Sequence, residues 1–342
     1  MTGANPRLAM TMGDPAGIGP EITLKALTDP AVRGAAAPVV LGDYAFLQAE
    51  RERFGIDVEL RRVDSAADAP ALGDDTDADA VGVVDFDNVA SPVTRGEVQS
   101  EYGRASLAYV ERSIDLAVEG TVDGICNAPI HKEAISRAGS EFAGHTDMMA
   151  ARTGVEEYTP LLTDDELYVT HCSLHVPLAT AVEHVSTETV LETIRVTHDH
   201  LPEVGIDDPS LGVLGVDPHA GDSGVIGEFD DRTVRPAVEW ARERGIDARG
   251  PLPPDSAFNR ALAGEFDCVI AMYHDQGHIP LFVNSYVPGG GVGAAVAVLG
   301  FPFVRTTTLH GTAYDIAGDG VAAPDSMIGS VRLAAEAVRH RS

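Results

Sequence analysis

At 342 residues, 44% of them hydrophobic and only 6% aromatic, the chain is long enough to bury a large alanine- and valine-rich core and to divide into two lobes. Its 53 acidic residues against 24 basic ones give a formal net charge of -29, a surface that repels nucleic acid and anionic membranes and excludes both as expected partners. Such a surface also repels itself in dilute buffer. Screening shortens to about 3 Å at molar salt, so a salt-rich, halophilic setting is expected.

The first predicted strand is RLAMTM (7–12), and GDPAGIGPE (13–21) turns it into a helix. The spacing G-x-x-x-G-x-G is neither the dinucleotide fingerprint G-x-G-x-x-G nor a P-loop, which needs a following G-K-[ST]. Two readings stay open for it: a tight structural turn, or a loop lining a cleft at the carboxyl ends of the strands. Further strands are predicted at APVVLGD (37–43), AVGVVDF (80–86), DGICNAP (123–129), ELYVTH (166–171), SLGVLGVDP (210–218), DCVIAMYH (267–274) and AAVAVLG (294–300). Helical periods fall between them at 105–120, 187–201 and 232–245. Short apolar strands alternating with helices predict an α/β fold with a mainly parallel sheet covered on both faces. The acidic stretch 64–80 reads as a solvated loop, and no internal repeat is present.

Cys126, Cys172 and Cys268 are scattered without a C-x-x-C pair, which points to a reducing compartment. No charged-then-apolar leader opens the chain, and the longest apolar run, 292–304, is too short for a bilayer. A cytoplasmic protein is expected.

Three of the twelve histidines stand out. His175 lies in LHVPL, while His219 in VDPHAGDSG and His274 in AMYHDQGHIP follow apolar runs directly, where strands end. Three imidazoles from different strand ends leave an open position on a shared metal, the arrangement of a catalytic site. The alternative is three separate hydrogen-bonded histidines. His171 and His175 are also four apart, but in extended context.

Together MTMGDPAGIGPEI (10–22), NAPIHKEAI (127–135), GHTDMMA (144–150), HVPL (175–178), DPHAGDSG (217–224), GPLPPDSAF (250–258), MYHDQGHIPL (272–281) and LGFPFVRTTTLHGTAYDIAG (299–318) resemble, in order, the motifs of the 4-hydroxythreonine-4-phosphate dehydrogenase (PdxA) family. The resemblance covers residues 10 to about 320. It implies an isocitrate/isopropylmalate dehydrogenase-like fold, not a Rossmann fold, in a homodimer with active sites shared across the interface. The first lobe would comprise 1–140 and 305–342, the second 141–304 with the metal ligands, and the cleft would lie between them. GDPAGIGPE would border that cleft.

The resemblance further implies that His175, His219 and His274 bind a divalent cation (Zn, Mg, Mn or Co), partly from each partner. Asp255 and Asp275 would flank the metal, orienting ligands or accepting a proton; for Asp255 a turn or helix cap is the alternative. HGTAYDIAG (310–318), with His310, Gly311, Thr312 and Ala313, resembles the loop by which β-decarboxylating dehydrogenases hold the adenosine of NAD. Helix capping by Gly311 and Gly318 is the bland alternative. His145, Thr146 and Arg305 would hold a phosphorylated substrate. Lys132 is one of two lysines in the chain, with Lys25, in a protein that otherwise uses arginine. Unlike arginine, a buried lysine can be tuned to release its proton, so Lys132 is the general acid/base candidate, with an ion pair as the alternative.

The family's phosphate-binding lysine and asparagine are replaced here by Phe282 and Val296. Backbone N–H groups of PGGGVGAA (288–295) are the expected substitute. The expected reaction is metal-dependent, NAD-linked oxidation of a hydroxy acid followed by decarboxylation. The expected substrate is 4-phospho-hydroxythreonine or a 4-phosphorylated threonate or erythronate, with pyridoxine biosynthesis the implied pathway in the first case. An unphosphorylated acid, including cyclic diol carboxylates, is the runner-up. Rival classes are a phosphate acyltransferase, which needs neither metal nor NAD, and a metal-binding protein that has lost turnover.

Overall fold

A computed structural model describes residues 5–70, 80–142, 144–286 and 293–341. The chain divides into two compact units: Met1–Glu156, Val287–Ala297 and Phe301–Ser342 form the first, and Glu157–Tyr286 with Val298–Gly300 the second. The expected return to the first lobe at 305 therefore falls at 287, apart from 298–300, and the expected boundary at 140 falls at 156. The segment between belongs to a helix that packs within the first unit, its Arg152 bonded to Asp115 at 3.0 Å.

The first unit begins with β1 (Arg7–Thr11), α1 (Gly19–Ala26), α2 (Pro30–Ala35), β2 (Ala37–Gly42), α3 (Tyr44–Phe54), β3 (Glu59–Val63), β4 (Ala80–Asp85), α4 (Ser100–Val118), β5 (Gly124–Asn127), α5 (Lys132–Arg137) and α6 (His145–Thr153). The second holds β6 (Thr159–Thr163), β7 (Tyr168–His171), α7 (Leu178–His184), α8 (Thr187–His200), β8 (Leu211–Leu214), α9 (Phe229–Glu243), β9 (Ala248–Leu252), α10 (Pro254–Leu262), β10 (Cys268–Ala271) and α11 (His274–Asn284). The chain then forms β11 (Ala295–Leu299), β12 (Val304–Thr308) and α12 (Asp325–Arg341).

In the first unit the strand order is β3-β4-β2-β1-β5-β12-β11, parallel throughout except for the antiparallel β11/β12 pair. In the second it is β6-β7-β10-β8-β9, parallel except for β6/β7. Every residue of β2 and β10 is buried, as strands covered on both faces require. The core of the first unit includes Leu8, Met10, Leu41 and Tyr109; that of the second includes Val169, Ile194, Val213 and Ile270.

All eight predicted strands are present, as are the three helices, within a few residues of their expected ends. Four strands are additional. β3 (ELRRV) is an edge strand that buries only its leucine and valine, and β12 (VRTTT) hides an arginine and threonines in the sheet, so neither shows the expected apolar run. Burial pushes the thiols of Cys126, Cys172 and Cys268 up to about 12, which makes them packed thiols and not nucleophiles. Among the described residues no helix is long and apolar enough to cross a membrane.

Candidate active site

The histidine cluster lies in the second unit. β10 ends at Ala271 and α11 starts at His274, so the first turn of the helix presents His274 at the carboxyl end of a buried strand. The rings of His175 and His274 are neighbours, tilted by 56° with centroids 5.4 Å apart. Nδ1 of His274 lies 2.7 Å from Oδ1 of Asp275. A carboxylate accepts, so the imidazole donates from Nδ1, and in its neutral form the lone pair is on Nε2. His219 also has a carboxylate beside it, its Nδ1 3.5 Å from Oδ2 of Asp255, a distance for an ion pair and too long for a good hydrogen bond.

His219 is presented by unusual backbone. Residues His219, Ala220, Gly221, Asp222 and Ser223 all have positive φ, between 45° and 78°. Each non-glycine residue there costs about 1–2 kcal/mol. The segment is anchored by Asp230, in the first turn of α9, whose carboxylate accepts the N–H groups of Val216 at 2.7 Å and Asp217 at 2.9 Å. Burial raises the Asp230 pKa despite those bonds.

Two clefts meet at Tyr273. One, of about 330 Å³, is lined by His175, His274 and Asp275; the other, of about 210 Å³, by His219, Asp255 and Gln276. Among the described residues of one chain, no three His, Cys, Asp or Glu side chains converge as ligands. The donor set nevertheless fits a divalent cation: imidazoles at cleft walls, two of them with a carboxylate at Nδ1. Asp255 lies in the first turn of α10, where Pro253 is the capping position and no side-chain cap bond forms, so the capping alternative does not hold.

The expected phosphate-binding residues meet in the first unit. Arg305, on β12, is only 3% exposed. Its Nη1 donates to Oγ1 of Thr146 at 3.4 Å and its Nε to Oδ1 of Asn127 at 3.3 Å. Burial pushes the guanidinium down to about 10, still charged at neutral pH, and no carboxylate pairs with it among the described residues. His145 and Thr146 open α6, whose first N–H groups have no partner within the helix. Nε2 of His145 is buried without a hydrogen bond, and burial with the neighbouring Arg305 holds its pKa well below the usual 6.5. A buried cation, a helix start and an unpartnered imidazole make a cradle for an anion. Asn127, which steadies Arg305, is a member of this cradle that residue chemistry alone did not single out; its place at the end of β5, inside NAPIHKEAI, was the available signal.

The GDPAGIGPE loop packs against 310–318, within the same unit. Ile18 N–H donates to the carbonyl of Thr312 at 3.0 Å, and a side chain at Gly17 would meet Thr312 at 2.9 Å. The hydroxyl of Tyr314 donates to Oδ2 of Asp14 at 2.7 Å, and Tyr314 stacks on His131 at 4.6 Å. Burial raises the Asp14 pKa against these bonds. His310 hydrogen-bonds the Gly311 carbonyl through Nδ1 at 3.0 Å, and burial lowers its pKa. Ala313 has φ 41°. Among the described residues, neighbours in the chain apart, no atom lies within 4 Å of the place a Gly311 side chain would take, so the backbone there is open to a ligand such as a nucleoside. No helix ends or begins at Gly311 or Gly318, which removes the capping alternative.

Lys132 is the first residue of α5, directly after His131. It is exposed in the single chain, not buried, and no carboxylate pairs with it among the described residues. Phe282 is half-buried on α11, and Val296 is half-buried on β11 opposite Thr307. Of the glycine-rich 288–295, residues 288–292 lie outside the described residues, as do 71–79 of the acidic loop.

Residues 34–334 match the family model described as pyridoxal phosphate biosynthetic protein PdxA. A D-threonate 4-phosphate dehydrogenase of Salmonella typhimurium is 40% identical over 334 residues, 96% of this chain and 97% of the relative. A 4-hydroxythreonine-4-phosphate dehydrogenase of Trichlorobacter lovleyi is 37% identical over 340 residues, 98% of each chain. Among solved structures, a 4-hydroxythreonine-4-phosphate dehydrogenase of Klebsiella pneumoniae superposes with a TM-score of 0.86 at 36% identity, covering 99% of both chains.

Proposed function

Because the chain belongs to the PdxA family, we propose that it is a metal-dependent, NAD-linked dehydrogenase that oxidises a 4-phosphorylated hydroxy acid and then releases its carboxyl group as CO2. The substrates named for the relatives support a phosphorylated acid of the 4-phospho-threonate or 4-phospho-hydroxythreonine type. The observation that carries the substrate reading is Arg305: a buried, charged guanidinium without a carboxylate, beside Thr146 and the buried His145, suits a phosphate dianion. This holds even though Phe282 and Val296 replace two polar groups of the family.

When bound, a divalent cation on His175, His219 and His274 would supply Lewis acidity at the substrate hydroxyl, and NAD against 310–313 the hydride acceptor. Asp275 accepts from Nδ1 of His274, which orients that ring and directs Nε2 of its neutral form toward a ligand, and Asp255 stands beside Nδ1 of His219. Lys132 is exposed in the single chain, so its acid/base role in this proposal requires the partner subunit to cover it: its amine would then take the hydroxyl proton as hydride leaves and, after CO2 departs, give that proton to the carbon that carried the carboxyl group.

The proposal includes a homodimer with shared active sites. Val176, Leu178, Ile279, Val283 and Tyr286, all exposed on the segments that carry the histidines, support such an interface. It also includes a cytoplasmic setting, in keeping with three cysteines that form no C-x-x-C pair, and a salt-rich one, supported by the net charge of -29. Pyridoxine biosynthesis belongs to the proposal if 4-phospho-hydroxythreonine is the acid turned over. The test is NADH formation with and without divalent metal on phosphorylated and unphosphorylated acids. Phe282 favours one second reading, an unphosphorylated acid in a pocket made less polar, and the same assay separates the two.

A further inference from the structure

His278 has no part in the mechanism above, yet it makes the closest ring contact in the histidine cluster. One helical turn beyond His274 on α11, its ring lies parallel to that of His274, centroids 3.6 Å apart and planes 9° from each other. Its Nδ1 donates to the carbonyl of His274 at 2.9 Å, which fixes the orientation of the His278 ring from below. Behind it stands the buried His171, at the end of β7, with its ring 4.9 Å from that of His278. That packing depends on Gly277, since a side chain there would collide with the His171 ring. His274 is thereby held on three sides: His278 covers one face, Asp275 takes Nδ1, and His175 stands 5.4 Å away. The Nε2 edge is left open to a ligand.

We propose that His278, buttressed by His171, is a positioning residue that fixes the ring plane of His274 for metal binding. The inference rests on the metal reading given above. A ligand whose ring can rotate must lose that freedom on binding, whereas a ring already clamped by a parallel neighbour does not. An aromatic ring of any kind at 278 can supply the clamp; an aliphatic side chain cannot.

The experiment is a cobalt(II) titration of the full-length protein in molar KCl, following the visible ligand-field spectrum and the affinity. Three variants accompany the unmodified chain: His274→Ala, His278→Leu and His278→Phe. The expected result is that His274→Ala abolishes the cobalt spectrum, His278→Leu weakens affinity by on the order of 10-fold or more with an altered spectrum, and His278→Phe stays within about 3-fold. If the unmodified chain gives no spectrum, or His274→Ala leaves it intact, the metal reading itself fails and takes this inference with it. If His274→Ala behaves as expected while His278→Leu matches the unmodified protein, the inference alone is overturned. Should His278→Leu not fold, His278→Phe against His278→Gln decides: loss with Gln alone supports the stack, and equal affinity for both refutes it.

Discussion

Arg305 is the residue on which substrate choice turns. Its guanidinium is buried, charged and free of carboxylates among the described residues, a costly state that an anionic ligand relieves. Arg305→Leu is therefore expected to lower kcat/KM for a phosphorylated acid by on the order of 100-fold, mainly through KM, while an unphosphorylated acid is affected far less. Steady-state kinetics on the two acids checks this. Lys132→Arg retains charge but not a proton that can be given up near neutral pH, so kcat should fall by about 100-fold or more with little change in KM. Unchanged turnover in that variant would remove Lys132 from the mechanism. His145 makes a pH prediction. Its pKa in the folded chain lies well below 6.5, the value it regains on unfolding. Below about pH 6.5 the unfolded chain thus binds a proton that the folded chain refuses, and stability falls with pH by up to about 1.4 kcal/mol per unit from this group. Denaturant midpoints at pH 7.5 and 5.5 should differ less in His145→Gln.

The left-handed run 219–223 is the element that most needs support, because its strain must be offset by neighbouring bonds. Asp230 provides two of them to the residues just before His219. Asp230→Ala leaves two N–H groups without their carboxylate and is expected to cost about 2–4 kcal/mol of stability and to weaken metal binding through His219. Thermal unfolding with and without cobalt measures both. The contrast with His274 explains what was legible beforehand. Strand β10 and the helix after it show as an apolar run and a chain of polar turn residues, so the position of His274 at a strand end could be read from DCVIAMYH. The left-handed backbone at His219 could not, since four of its five residues are not glycine. Likewise Arg305 was identifiable as a member of the motif, but its burial was not, because a strand reading VRTTT carries no mark of which face is covered. Lys132 errs in the other direction: its rarity suggested burial, whereas α5 begins at the surface of the single chain.

At the scale of the whole molecule, charge dominates. A formal net charge of -29 on 342 residues makes the compact state repel itself, and at neutral pH salt relieves that cost without changing a residue. The transition midpoint is expected to rise steadily with KCl from millimolar to molar concentrations; a midpoint independent of salt would argue against a halophilic setting. The central claim is best tested under the same conditions, by following NADH formation in molar KCl with a divalent metal. The acids to compare are 4-phospho-threonate, 4-phospho-hydroxythreonine and their unphosphorylated counterparts. The account predicts metal-dependent NADH and CO2 release confined to a phosphorylated acid. Turnover of the unphosphorylated acids alone, or none that depends on metal, would contradict it.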